Sequence, residues 1–91
     1  MANGAIKGGS LTVGTTAVQV DGNFKAWSHI HIRNNDNTKD LLIGGDDLTA
    51  ANGMTVKGLD TIDFDIPPGE AFYLLATSGT VSVSWLRIDV V

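Results

Sequence analysis

Leu41-Leu42-Ile43-Gly44-Gly45-Asp46-Asp47-Leu48-Thr49-Ala50-Ala51-Asn52-Gly53 is the stretch on which the reading of this chain turns. It opens as an apolar run suited to a buried strand, and the two glycines then stop it. Asp47 to Ala51 has room for one helical turn, with Asp46 or Asp47 as its N-cap. Asn52-Gly53 marks a second turn, because both residues tolerate positive φ. Met54, Val56 and Leu59 lead away as strand. A strand enters this corner and a strand leaves it.

Upstream, Ala26 to Arg33 shows the clearest period of two. Ala26, Ser28, Ile30 and Ile32 share one face; Trp27, His29, His31 and Arg33 share the other. The isoleucines point the first face inward, so the second is exposed or meets a partner. Asn34 to Asp40 is a polar loop rich in residues that hydrogen-bond their own backbone. The loop is short, which predicts an antiparallel hairpin between 26–33 and 41–43. Earlier still, Leu11, Val13, Val18 and Val20 read as strand, bent at Gly14-Thr15-Thr16, and Asp21-Gly22-Asn23 is a turn. Residues 1–10 carry three glycines and one large apolar side chain, Ile6. That is too little burial to offset backbone ordering, so a flexible arm is expected there.

Downstream, Ile62, Phe64 and Ile66 alternate inward against Thr61, Asp63 and Asp65 outward. Pro67-Pro68-Gly69-Glu70 breaks pairing. Ala71 to Ala76 is an apolar strand, Thr77 to Thr80 a turn, and Val81 to Val91 the last strand. Within it Val81, Val83 and Trp85 share one face while Leu86, Ile88 and Val90 share the other. This slip of phase predicts a bulge between Trp85 and Leu86, or a strand passing from one sheet to a second partner, with Trp85 in the core. The sum is about eight short strands and no helix beyond one turn. The expected fold is all-β, an antiparallel sandwich or jelly-roll-like barrel, with an arm at 1–10 and one domain at 11–91.

The chain has 91 residues and no cysteine. A domain this small hides only about 60–65% of the surface its unfolded chain exposes. Neither disulfides nor a zinc staple of cysteines can reinforce it, so oligomerisation is expected. Net charge is −4, and the six basic residues (Lys7, Lys25, Arg33, Lys39, Lys57, Arg87) are scattered. No row of them could neutralise phosphates, which argues against nucleic acid as partner. No apolar stretch approaches the ~20 residues that span a bilayer, and the first ten residues lack a signal-peptide core. The chain is therefore expected to be made in the cytoplasm, with no membrane partner.

Four groups carry potential chemistry. His29 and His31 on one strand face could share a metal, given a third ligand such as Asp65 or Asp89. Asp46-Asp47 offers carboxylates, without the alternating ligands and closing glutamate of a calcium loop. Asp63 and Asp65 are spaced as an acid–base pair, but alternating aspartates on an exposed face also discourage edge-to-edge aggregation. Gly44-Gly45 lacks the pattern of a phosphate loop. Each has a simpler account as solvated strand face or turn, so no catalytic residue, cofactor or metal is expected and the chain is read as a non-enzyme. Trp27, flanked by polar residues on the outward face, suits a protein contact.

The order of several motifs resembles a family of small virion proteins of tailed phages. They are Thr-Thr-Ala-Val-Gln-Val at 15–20, His-Ile-His-Ile-Arg-Asn-Asn at 29–35, Leu-Ile-Gly-Gly-Asp-Asp-Leu-Thr-Ala-Ala-Asn-Gly at 42–53, Pro-Gly-Glu at 68–70 and Ser-Gly-Thr at 78–80. The resemblance spans residues 11–86 and implies a capsid decoration (cement) protein. Such a protein is located on the virion surface, outside the head shell, commonly as a homotrimer, with the major capsid protein and itself as partners. On this reading Asn3, Ile6 and Lys7 contact the shell, and Trp27, His29 and His31 contact a subunit or the shell. Two other readings compete: a head-fibre or tail-tip module that stacks a host glycan on Trp27 or Tyr73, and a small cupin-like enzyme holding a metal on His29 and His31.

Overall fold

The computed structural model describes residues 6–20 and 25–89. Eight strands occupy them: β1 (Ile6–Val13), β2 (Val18–Gln19), β3 (Ser28–Asn34), β4 (Leu41–Gly44), β5 (Met54–Val56), β6 (Thr61–Ile66), β7 (Tyr73–Ala76) and β8 (Val81–Asp89). They form two four-stranded antiparallel sheets, in the orders β1-β8-β3-β6 and β2-β7-β4-β5. This is the strand order of an eight-stranded jelly roll, a double-sheet solution to burying one face of every strand. Val13, Ile30, Ile32, Leu41, Leu74, Val81 and Val83 are fully buried between the sheets. No helix occurs among the described residues.

The jelly roll alters three expectations. First, β3 and β4 do not form a hairpin, since they lie in different sheets. The loop between them crosses from one sheet to the other, held from inside by Asn34. The Asn34 side-chain amide donates to the carbonyls of Lys39, at 2.9 Å, and Val56, at 3.0 Å, and its oxygen accepts from the Asp36 N–H at 2.9 Å. Asp36 in turn accepts from the backbone N–H groups of Thr38 and Lys39, both at 2.8 Å. These bonds hold its carboxyl below the ordinary carboxylate value.

Second, β8 carries no bulge. It pairs without interruption with β1 from Val13↔Val81 to Ile6↔Ile88, and with β3 from Asn34↔Val83 to Ser28↔Asp89. The slip of phase has another cause. The first sheet is built from strands of six to nine residues and the second from strands of two to four. The inner face of β8 is fully buried at Val81 and Val83, then becomes half-buried at Trp85, Arg87 and Asp89. Polar residues are tolerated there because they satisfy one another. Arg87 donates to both oxygens of Asp89, at 2.7 and 3.1 Å, and the Ser28 hydroxyl donates to Asp89 at 2.6 Å. Trp85 packs against the rim of the core, as a half-buried residue.

Third, the arm expected over 1–10 is a strand from Ile6 onward. Residues 6–10 are exposed yet fully paired with β8. Backbone ladder bonds order this segment where side-chain burial does not. Gly9 lets the Trp85 ring lie close over β1: a Cβ there would be 3.0 Å from the ring, tight enough that the indole would have to shift by a few tenths of an ångström. Residues 1–5 of the expected arm, and the turn expected at Asp21-Gly22-Asn23, lie outside the described residues.

The corner at 45–53 forms two successive turns and no helix. Leu48 N–H bonds Gly45 C=O at 3.1 Å, and Asn52 N–H bonds Thr49 C=O at 3.3 Å. Neither aspartate caps a helix; the side chain of Asn52 ties the corner instead, accepting from Thr49 N–H and donating to Asp47 C=O. The corner joins β4 to β5, which pair directly within one sheet. It folds Leu48 back over Leu42 and Leu75, making a second small apolar cluster on the outer face of that sheet, with Ala17 and Tyr73 against it.

Candidate functional site

The two sheets differ on their outer faces. The corner covers part of the second sheet, as just described. On the first sheet, the alternation of β3 buries Ser28, Ile30, Ile32 and Asn34 and turns His29, His31 and Arg33 out. Register then fixes what each outward residue meets. On one side His29 is opposite Asp65, His31 opposite Asp63 and Arg33 opposite Thr61. On the other side His29 is opposite Ile88 and His31 opposite Leu86, and Ile88 is in turn opposite Ile6. The face is thus graded: aspartates on β6, imidazoles on β3, then aliphatic side chains on β8 and β1. Ile6 is 65% exposed and Leu86 38%.

His29 is held between two carboxylates. Its Nδ1 lies 2.5 Å from Asp65 Oδ1 and its Nε2 3.1 Å from Asp63 Oδ2. Hydrogen bonding to Asp65 is the main cause that raises its pKa above the ordinary 6.5, with smaller help from both carboxylate charges. The His31 ring meets the His29 ring edge-on, with centroids 4.7 Å apart. His31, Arg33, Thr61, Ser84, Trp85 and Leu86 line a shallow apolar depression beside this cluster. A second depression, lined by Gly45, Asp46, Gly69, Glu70, Ala71 and Tyr73, lies beside the corner on the other sheet.

The residues singled out in the sequence are only partly brought together. Ile6, His29 and His31 share the outer face. Lys7 takes the opposite face of β1, cross-strand from Arg87. Trp27 stands at the entry to β3, 54% exposed. Asn3 lies outside the described residues. Of the two carboxylates considered as partners for the histidines, Asp65 is beside His29, whereas Asp89 faces inward to Arg87 and Ser28. Asp63, which the sequence offered only as half of an acid–base pair, bonds His29 and has a carboxylate oxygen within 4.8 Å of a ring nitrogen of each histidine. Leu86 and Ile88, which a bulge would bring to the core face, lie instead on this outward face. The signal was available in the phase of β8, once no bulge is assumed.

No protein-family model matches the chain, and no curated protein does. Among solved structures the chain is similar to one from Bacillus endospore appendages, described as forming a novel family of disulfide-linked pili. That likeness has a TM-score of 0.54 and 14% sequence identity, and covers 99% of this chain and 93% of the other. At this identity it concerns the β fold alone. This chain has no cysteine with which to form such links.

Proposed function

We propose that the chain is a non-enzymatic structural module, a phage capsid decoration protein that docks to the outside of a head shell and stabilises it. It acts as a homotrimer on the virion surface, with the major capsid protein as partner. One observation carries the proposal. A row of aliphatic side chains, Ile6, Leu86 and Ile88, lies on the outward face of the first sheet, where a free-standing sandwich normally presents polar residues. The motif order that resembles small tailed-phage virion proteins supplies the identity of the partner.

The mechanism is mass action. A ligand that binds only the expanded shell stabilises that shell by RT ln(1 + c/Kd) per site, a gain that grows with its free concentration c. A trimer that engages several shell subunits at once gains avidity without further contacts. Binding then depends on the apolar strip, to which Ile6 contributes from β1. Co-sedimentation with expanded phage heads, with copy number counted, tests this. Leu86→Asp should abolish co-sedimentation while the circular dichroism of the domain stays the same. Retained binding in that variant would remove this face from the account.

Exposure of Trp27 supports a second reading, a head-fibre or tail-tip module that stacks a host glycan on the indole. Tyr73 is a weaker platform, because it packs half-buried against the cluster around Leu42 and Leu75. Glycan-array binding that is lost in Trp27→Ala, without shell binding, would favour that reading.

A further inference from the structure

The cluster on β3 and β6 has the composition and arrangement of a metal site. His29, His31 and Asp63 each offer one ligand atom, and those atoms all lie within 4.8 Å of one another. A dication bonded to nitrogen and oxygen at about 2.0–2.2 Å needs its donors roughly 3.3 Å apart. The side chains are half-exposed or exposed, so small rotations close the difference without disturbing the core. The backbone has already done the costly part. His31 and Asp63 are a direct cross-strand pair, and His29 is the next outward residue along β3.

A second, independent feature points the same way. Asp65 sits on Nδ1 of His29, while Nε2 faces Asp63. With Asp65 on Nδ1, Nε2 is aimed at Asp63; a dication entering between Nε2 and Asp63 takes the place of the Nε2 proton, and Asp65 then holds the ring as its Nδ1–H form, an arrangement common around histidine ligands. Two imidazoles with one carboxylate suit borderline ions such as zinc, copper or nickel; calcium and magnesium prefer all-oxygen sites. Three protein donors leave a further position for water.

We propose that His29, His31 and Asp63 bind a borderline transition-metal dication on the outer face of the first sheet, with Asp65 as the positioning residue for His29. The site adjoins the apolar strip, but the proposal does not require the docking role.

The test titrates zinc into the metal-free full chain, followed by calorimetry and by the imidazole signals in NMR. One zinc per chain is expected, with shifts at both His29 and His31. His31→Asn, outward and close in size, should weaken binding at least tenfold with an unchanged melting temperature. Asp65→Asn should weaken it about 10–100-fold and move the His29 Nδ1–H signal of the loaded protein upfield, as its hydrogen bond to a carboxylate is lost. Three results would each overturn the proposal: no saturable uptake, uptake that survives His29→Asn with His31→Asn, or displacement of zinc by equimolar calcium.

Discussion

Replacing Asn34 by alanine removes the side chain that bridges the two sheets from within the core. Asn34 belongs to β3 in the first sheet, is fully buried, and donates to Val56 of β5 in the second sheet and to Lys39 in the connecting loop. Its oxygen takes the Asp36 N–H. Only this amide orientation fits, because two carbonyls face one end and an N–H faces the other. Three bonds at about 1 kcal/mol net each give roughly 3 kcal/mol, and stranding two carbonyls in a buried site pushes the value upward. A chain of 91 residues has a total stability of about 5–14 kcal/mol, so the loss is a large share of it. With a urea slope of about 1–1.5 kcal/mol per molar, the unfolding midpoint should fall by about 2 M or more. Equilibrium urea unfolding followed by Trp fluorescence is the assay. Asn34→Asp should be worse at neutral pH, because it aims a charged oxygen at the two carbonyls that now accept. A loss below about 1 kcal/mol for Asn34→Ala would refute the bridging role and show that water serves those carbonyls equally well.

Gly53→Ala should cost about 1–3 kcal/mol by overpacking, since its new methyl would lie 2.7 Å from Leu42 Cβ and Leu48 Cδ1; thermal unfolding measures it. Leu59 is the one described non-glycine residue at positive φ, at 65°, so Leu59→Asn should raise stability by up to about 1 kcal/mol, and a lower melting temperature would refute the strain. The carboxyls of Asp36 and Asp89 are held below the ordinary 3.8, the first by backbone N–H groups and the second by Arg87 and then Ser28. Their contribution is complete above that value and disappears as pH falls through the depressed one, so Asp36→Asn should flatten stability against pH below about 4. His29 has the opposite sign: its raised value stabilises below 6.5 and the gain is lost as pH rises through the folded value. An NMR titration should place His29 above 6.5, with Asp65→Asn moving it down.

What the residues alone determine about this protein is local. Alternation along 28–34 and 61–66 settles which side chains lie inside, because a strand's side chains change face at every residue whatever its neighbours are. Turn chemistry at Gly44-Gly45, Asn52-Gly53 and Pro67-Pro68-Gly69 settles where strands end. Those two kinds of signal suffice for an all-β sandwich of eight strands. They do not say which strand lies beside which, since a period of two carries no information about a partner. A short polar loop after Asn34 is as compatible with crossing between sheets as with a hairpin, and the buried Asn34 amide decides for crossing.

The same limit explains the site. His29 and His31 are two apart in the chain and share a face by geometry alone. That Asp63 and Asp65 face them, with Leu86 and Ile88 on the other flank, depends on the register of three strands distant in sequence. Leu86 looks like a core residue by hydropathy. It is outside because β8 runs straight between β1 and β3, and only the packed sheets fix the face on which each alternate side chain emerges.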